Sequence, residues 1–317
     1  MRLIGVTVVR NEADIFESFA RSNLHLLDGL YVLLHRSRDG TGEIAAALKR
    51  EGVNVRIFEE EREGFRQDAI INSLSRRAFK EDGADFVFPI DGDEILQAAD
   101  RGALEASLRA IPSRMAGLMR WQTYVCSLAD DAAELCPTRR ITHRYDLGVG
   151  WNVAIPARID AEYCKAVVGR WFHEEPSAWI YEGNHAVFCD GRLAMTACPG
   201  VEIAHFPVRS LDQLSQKVSL GWLSCLASGR DPEASGLALH WKGMFERLRD
   251  NGPLSWEDAA RFVSAYAPPE RRSLPLVSAR IVDHVGRLRY SGLQRSRDLT
   301  AALIEFAERL ARDRVLK

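Results

Sequence analysis

The segment Phe88-Pro89-Ile90-Asp91-Gly92-Asp93-Glu94 sets three carboxylates within four residues, directly after an apolar run. Like charges packed this closely repel unless a cation or hydrogen-bond donors neutralise them. Gly92 permits a tight turn that aims Asp91 and Asp93 at one point, and hard oxygen ligands suit Mg²⁺ or Mn²⁺. The same residues also suit a solvated turn, so spacing alone leaves both readings open. A second block, Ser37-Arg38-Asp39-Gly40-Thr41-Gly42-Glu43, can offer backbone N–H groups and hydroxyls to an anion where a helix begins. Loops of this kind also simply turn the chain. A third, Ile203-Ala204-His205-Phe206-Pro207-Val208-Arg209-Ser210, joins an imidazole able to ligate a metal to a guanidinium able to hold a phosphate. Gly183-Asn184-His185 adds another imidazole.

These blocks need a scaffold, and the hydrophobic pattern supplies one. Leu3–Val9, Leu30–Leu34, Val53–Phe58 and Asp85–Ile90 are short apolar runs that predict strands. Between them, Asn11 is placed to cap a helix carrying Ile15, Phe16, Phe19 and Leu26, and Ile44–Leu48 and Gln67–Phe79 predict two more helices. Strands alternating with helices imply an α/β fold with a mixed, mainly parallel central sheet flanked by helices. Ligands of such sheets bind beyond the carboxyl ends of the strands, which points to the loops after Val9, Leu34 and Ile90. From Arg114 to Phe206 the pattern is richer in strands; beyond it the chain is helical. Ser210-Leu211-Asp212-Gln213 reads as a capping box, and Ala301–Val315 as an amphipathic helix expected to pack on the core. The expected division is residues 1–208 and a helical region 209–317.

Composition narrows the classes. The 317 residues carry 42 Lys+Arg against 44 Asp+Glu, a net charge of −2, which argues against a nucleic-acid partner. With 46% hydrophobic and 27% charged residues, the chain reads as an ordinary globular protein. No segment approaches the roughly 20 apolar residues of a membrane span, and no leader is recognisable, so a cytoplasmic chain is expected, with peripheral contact at the inner membrane face open to the basic end of the last helix. None of the six cysteines forms a C-x-x-C pair, so reduced thiols are expected.

Taken in order, V-V-R-N-E-A-D-I at 8–15, S-R-D-G-T-G-E-I at 37–44, D-G-D-E-I-L at 91–96 and G-N-H followed by H-F-P-V-R-S at 205–210 resemble the family 2-like glycosyltransferases of GT-A fold, in the branch related to the family 92 type. The resemblance spans about residues 3–220. It implies metal-dependent transfer of a sugar from a nucleotide-sugar donor to a glycan or other hydroxyl acceptor, by inversion. Asp91-Gly92-Asp93 matches the D-x-D motif, which makes Asp93 a ligand of Mn²⁺ or Mg²⁺ and places Asp91 near the ribose or metal-bound water. His205 matches a further metal or diphosphate contact. Arg10, Asn11, Glu12 and Asp39 match nucleoside-binding loops, Gln67 also fits, and Arg209 would hold a phosphate. Glu174, Glu175, Glu182 and His185 are candidate bases, with Glu182 preferred, and Trp151, Trp171 and Trp179 could stack on an acceptor. One position departs: relatives carry an Asp, which helps read the base, where this chain has Leu34. That leaves His35 or Asp39 to compensate, and a catalytically silent nucleotide- or glycan-binding relative as the alternative. If Leu34 borders the nucleotide pocket, Leu34→Asp should change nucleotide preference without unfolding the protein.

Overall fold

A computed structural model describes residues 1–61, 67–146, 163–228, 239–267, 269, 272–273, 275–294 and 298–315. Strand side chains alternate between two faces, and the first two strands divide theirs between two cores. β1 (Leu3–Val9) and β2 (Gly29–His35) pair in parallel. Leu3, Val9, Leu30, Val32 and Leu34 enter one core with α1 (Phe16–Leu26) and α2 (Thr41–Arg50). Ile4, Val6, Tyr31 and Leu33 enter the other with α3 (Gln67–Asp82). Helices therefore cover both faces, as the alternating pattern implies.

Six further strands complete the sheet: β3 (Val55–Glu60), β4 (Phe86–Pro89), β5 (Glu94–Gln97), β6 (Ala116–Thr123), β7 (Cys164–Gly169) and β8 (Met195–His205). Their order is β3-β2-β1-β4-β7-β6-β8-β5. The pairs β1–β2, β2–β3, β1–β4 and β6–β8 are parallel; β4–β7, β6–β7 and β5–β8 are antiparallel. The sheet is thus the mixed, mainly parallel one expected. β5 and the helix after it, α4 (Arg101–Arg109), are additions to the sequence reading. β8 runs longer than its expected core because a bulge between Ala197 and Glu202 lets it continue along β6.

Asn11 does not cap α1. It sits at φ 55°, its side chain accepts from the Arg38 N–H, and the helix starts only at Phe16. Ser210 does cap α5 (Leu211–Ala227), accepting from Gln213 N, while the Gln213 side chain accepts from Arg209 N. Helices α6 (Leu239–Asn251), α7 (Trp256–Ser264) and α8 (Leu299–Val315) follow. Ala302 and Phe306 of α8 bury against Leu220 of α5, so its apolar side packs on the protein.

Between α7 and α8 an extended strap returns to the amino-terminal loops. The Arg289 and Tyr290 N–H groups donate to the buried Glu17 carboxylate, each at 2.9 Å. Gln294 donates to Asp14 O, and a Cβ at Gly40 would stand 2.0 Å from Leu293 O, so only glycine admits the strap there. Arg38 pairs with Glu305 of α8 at 3.0 Å. All six cysteines are free thiols, four of them buried.

Candidate functional site

β4 ends at Pro89, and the chain turns at Asp91–Asp93 into β5. Asp91 N donates to the Glu94 carboxylate and Glu94 N to Asp91 O, which closes the turn. A Cβ on Gly92 would lie 2.7 Å from Val9, so glycine lets this turn lie against the end of β1. The antiparallel register then sets Glu94 opposite His205, and Phe206 N donates to Asp93 O. Two segments more than a hundred residues apart are thereby fixed side by side.

The His205 Nε2 lies 3.8 Å from Asp93 Oδ1. Burial keeps the imidazole well below its ordinary pKa and therefore neutral. Its ring stacks on Trp121, centroids 4.3 Å apart, and its buried Nδ1 has no hydrogen-bond partner among the described residues. Nothing ties the tautomer, so Nε2 is able to present its lone pair toward Oδ1. Two acceptors facing one another suit a shared cation. With bonds of roughly 2.0–2.1 Å, two donors on one octahedral Mg²⁺ stand about 2.9 Å apart when adjacent and about 4.2 Å when opposite, so this pair must move to share the ion. No group of three or more His, Cys, Asp or Glu side chains is set to hold a metal among the described residues. Mg²⁺ commonly takes few protein ligands and fills its shell from phosphate and water, so Asp93 and His205 fit the implied ion as a two-ligand site.

The carboxylates of the turn are not bare. Lys217 of α5 donates to Asp93 Oδ2 at 2.6 Å, and Arg209 Nη1 stands 3.8 Å from the same oxygen. Burial alone would raise the Asp93 pKa; the charges of Lys217 and Arg209 outweigh it and hold the group below the usual carboxylate range. Lys165 of β7, with its side chain 1% exposed, reaches Asp91 Oδ2 at 2.6 Å and Glu94 Oε1 at 3.2 Å. Asp91 Oδ1 also accepts from Gln67 and Asn184. Glu94 is fully buried, accepts from Trp121 Nε1 at 2.6 Å, and is pushed by burial up to about 8.

Arg209 has a different task from the one expected of it. Nε and Nη2 grip both oxygens of Asp14 at 2.6 and 2.9 Å, Nη2 also reaches Glu12, and Nη1 donates to Phe206 O. Fully buried, it ties the loop after β1 to the start of α5 instead of presenting its fork to a phosphate. Asp39 likewise accepts from Ala13 N and from Thr41 N and Oγ1, binding two loops together. Arg10 crosses to Ser224 of α5 at 2.6 Å.

Asp91, Asp93, His205, Lys217, Arg209 and Asp39 line one cleft of about 900 Å³, with Lys165 and Glu94 buried behind it. Its floor carries Asp91, Asp93, His205 and Lys217. One end is formed by Arg10, Asn11, Glu12, His35, Asp39 and Gln67, and another wall by Trp121, Tyr266, His240 and Trp241. Trp121, Lys217 and Lys165 escaped the sequence reading. Of the tryptophans it named, Trp171 and Trp179 do not line the cleft and Trp151 lies outside the described residues. Glu175 pairs with Arg114. His185 lines the cleft, its Nδ1 against Cys164 O, held by burial at about 3. The Glu182 side chain also lies outside what is described; its backbone heads a 3₁₀ turn whose Gly183 lines the cleft.

Leu34 does not border this cleft. It belongs to the core with α1 and α2, and the alternation of β2 sends His35 toward the cleft instead. Leu34→Asp should therefore lower stability by about 3 kcal/mol or more, from lost packing and a buried carboxylate. Urea unfolding would measure it, and nucleotide preference of the folded fraction should not change.

Neither a protein-family match nor a curated protein similar in sequence was found for this chain. Solved structures similar to it include S. aureus TarS 1–349 in complex with UDP (10% identity, 86% of this chain and 82% of that one, TM-score 0.38). The mannosyltransferase PcManGT from Pyrobaculum calidifontis in complex with GDP-Man and Mn²⁺ shares 15% identity over 84% and 73% of the two chains, TM-score 0.39. Glucosyl-3-phosphoglycerate synthase from Mycobacterium tuberculosis in complex with Mg²⁺ and UDP shares 18% over 71% and 79%, TM-score 0.37.

Proposed function

We propose that the chain is a glycosyltransferase of the family 2-like, GT-A type. It moves a sugar from a nucleotide-sugar donor to a glycan or other hydroxyl acceptor with a divalent cation, Mn²⁺ or Mg²⁺. The observation that carries this is Asp93 Oδ1 facing His205 Nε2 across 3.8 Å on the floor of a 900 Å³ cleft. That volume is near the upper end of the roughly 300–1,000 Å³ of ligand sites, with room for donor and acceptor together. The nucleoside is assigned to the end formed by Arg10, Asn11, Glu12, His35, Asp39 and Gln67. The acceptor lies toward Tyr266 and Trp241, whose ring faces suit a sugar.

When bound on Asp93 and His205, the cation offsets charge growing on the departing diphosphate. Lys217 adds a second positive centre beside it. Lys165, Gln67 and Asn184 hold Asp91 in one orientation at the floor, where it meets the ribose or bound water. Inversion requires a base on the acceptor side, and we assign it to Glu182. A cytoplasmic location completes the reading; no helix among the described residues is long and apolar enough to cross a membrane.

The test is a thermal-shift screen of UDP-, GDP-, CDP- and dTDP-sugars with Mn²⁺, followed by sugar release from whichever binds. One nucleotide should raise the melting temperature with Mn²⁺ and fail to do so in chelator. Glu182→Gln should cut release at least 100-fold while leaving donor binding within twofold. Binding without release by the unaltered chain would favour the silent relative; no binding by any nucleotide would end both readings.

A further inference from the structure

Two cations stand on Asp93, and they are held very differently. Arg209 has Nε and Nη2 committed to Asp14 and Glu12, Nη1, the nitrogen facing Asp93, also donates to Phe206 O, and its side chain is 0% exposed. Lys217 is bound to Asp93 Oδ2 at 2.6 Å and to Pro207 O at 3.2 Å, and its side chain is 19% exposed on the floor of the cleft. A four-carbon stem on α5 lets the ammonium swing, whereas the guanidinium is clamped. A divalent ion shared by Oδ1 and His205 Nε2 would put a second positive centre on the carboxylate that Lys217 already occupies, and the two would repel. A diphosphate laid over Asp93 offers the ammonium a new anionic partner within the same cleft.

Resting on the nucleotide-sugar reading above, we propose that Lys217 is an exchangeable counter-cation. It holds Asp93 until substrate arrives, competes with Mn²⁺ or Mg²⁺ for that carboxylate, and passes to the diphosphate when ion and nucleotide bind together. Ion and nucleotide then favour one another because each relieves the lysine of the other's opposition. Glu12 and Asp14 do not replace Asp93 as the ammonium's partner, since Arg209 engages both. Lys165 does not replace Lys217 as the cation on Asp93, being fixed by Asp91, Glu94 and Gly183 O.

The experiment is Mn²⁺ binding to the full chain without nucleotide, read from the paramagnetic resonance of the unbound ion. Lys217→Gln should bind Mn²⁺ at least tenfold more tightly than the unaltered protein. Lys217→Arg, which keeps the charge, should stay within threefold of it, and Asp93→Asn combined with Lys217→Gln should lose the gain. Unchanged or weaker Mn²⁺ binding by a folded Lys217→Gln overturns the proposal. Should that variant not fold, unaltered protein labelled at lysine Cε is titrated with Mg²⁺, the Lys217 signal being the one missing in Lys217→Arg. It should shift as the ion binds, and an unmoved signal at saturation overturns the proposal. Failure of every nucleoside diphosphate to bind with Mn²⁺ would instead end the nucleotide reading, which these ion-only measurements keep separate.

Discussion

Asp93→Asn is expected to reduce sugar transfer at least 100-fold, about 2.7 kcal/mol of transition-state stabilisation. It should also weaken metal-dependent nucleotide binding at least tenfold, about 1.4 kcal/mol. The substitution leaves an oxygen of the right size but removes the charge that attracts the ion and holds Lys217 at 2.6 Å. Stability should fall as well, because two cations lose their common partner in a buried setting. Calorimetric titration with Mn²⁺ and nucleotide separates the effects when compared with a urea melt. Equal nucleotide affinity with and without chelator in the unaltered protein would remove the basis for the prediction.

The largest effect on folding is expected from Arg209→Met. The change leaves Glu12 and both oxygens of Asp14 without their guanidinium. Removing one partner of a buried ion pair costs about 3–5 kcal/mol, a large share of the roughly 5–15 kcal/mol that holds a folded domain. For a chain of this length that corresponds to a fall of about 5–8 °C in Tm. Arg209→Lys keeps the charge but not the fork and should recover only part of the loss. Loss of nucleotide binding with an unchanged Tm would show instead that Arg209 meets the phosphate directly.

The amino-terminal half could be read from sequence because its signals are local. Apolar runs of four to seven residues separated by helical periods mark β1 to β4, and Ser210 with Gln213 marks the head of α5. β5 carries no such signal: Glu94–Gln97 is four residues long and becomes a strand by pairing with β8. Lys217, Lys165 and Trp121 are single residues inside otherwise ordinary elements, and only the packing of α5, β7 and β6 brings them to Asp91, Asp93 and His205. Arg209 was found by motif, but its partners within the chain were not. Its neighbours Glu12 and Asp14 lie nearly two hundred residues earlier, and no spacing rule links them. Leu34 was misjudged by a single step of the strand alternation, which sends His35 to the cleft in its place.

The strap ending at Gln294 also has a meaning in time. The loop after β1 leaves the ribosome early, yet the donor that holds Asp14 O lies 280 residues later, and the guanidinium that grips its carboxylate lies 195 residues later. Contacts so distant in sequence are slow to form, because a long loop must close before they are made. The nascent amino-terminal half can build its parallel strands while the loops after β1 and β2 stay unfinished, with Asp14 and Gly40 waiting for their partners. A chain stalled near residue 280 would present a folded sheet and an incompetent cleft. Release of the segment around Leu293 and Gln294 would then be the event that completes the loops.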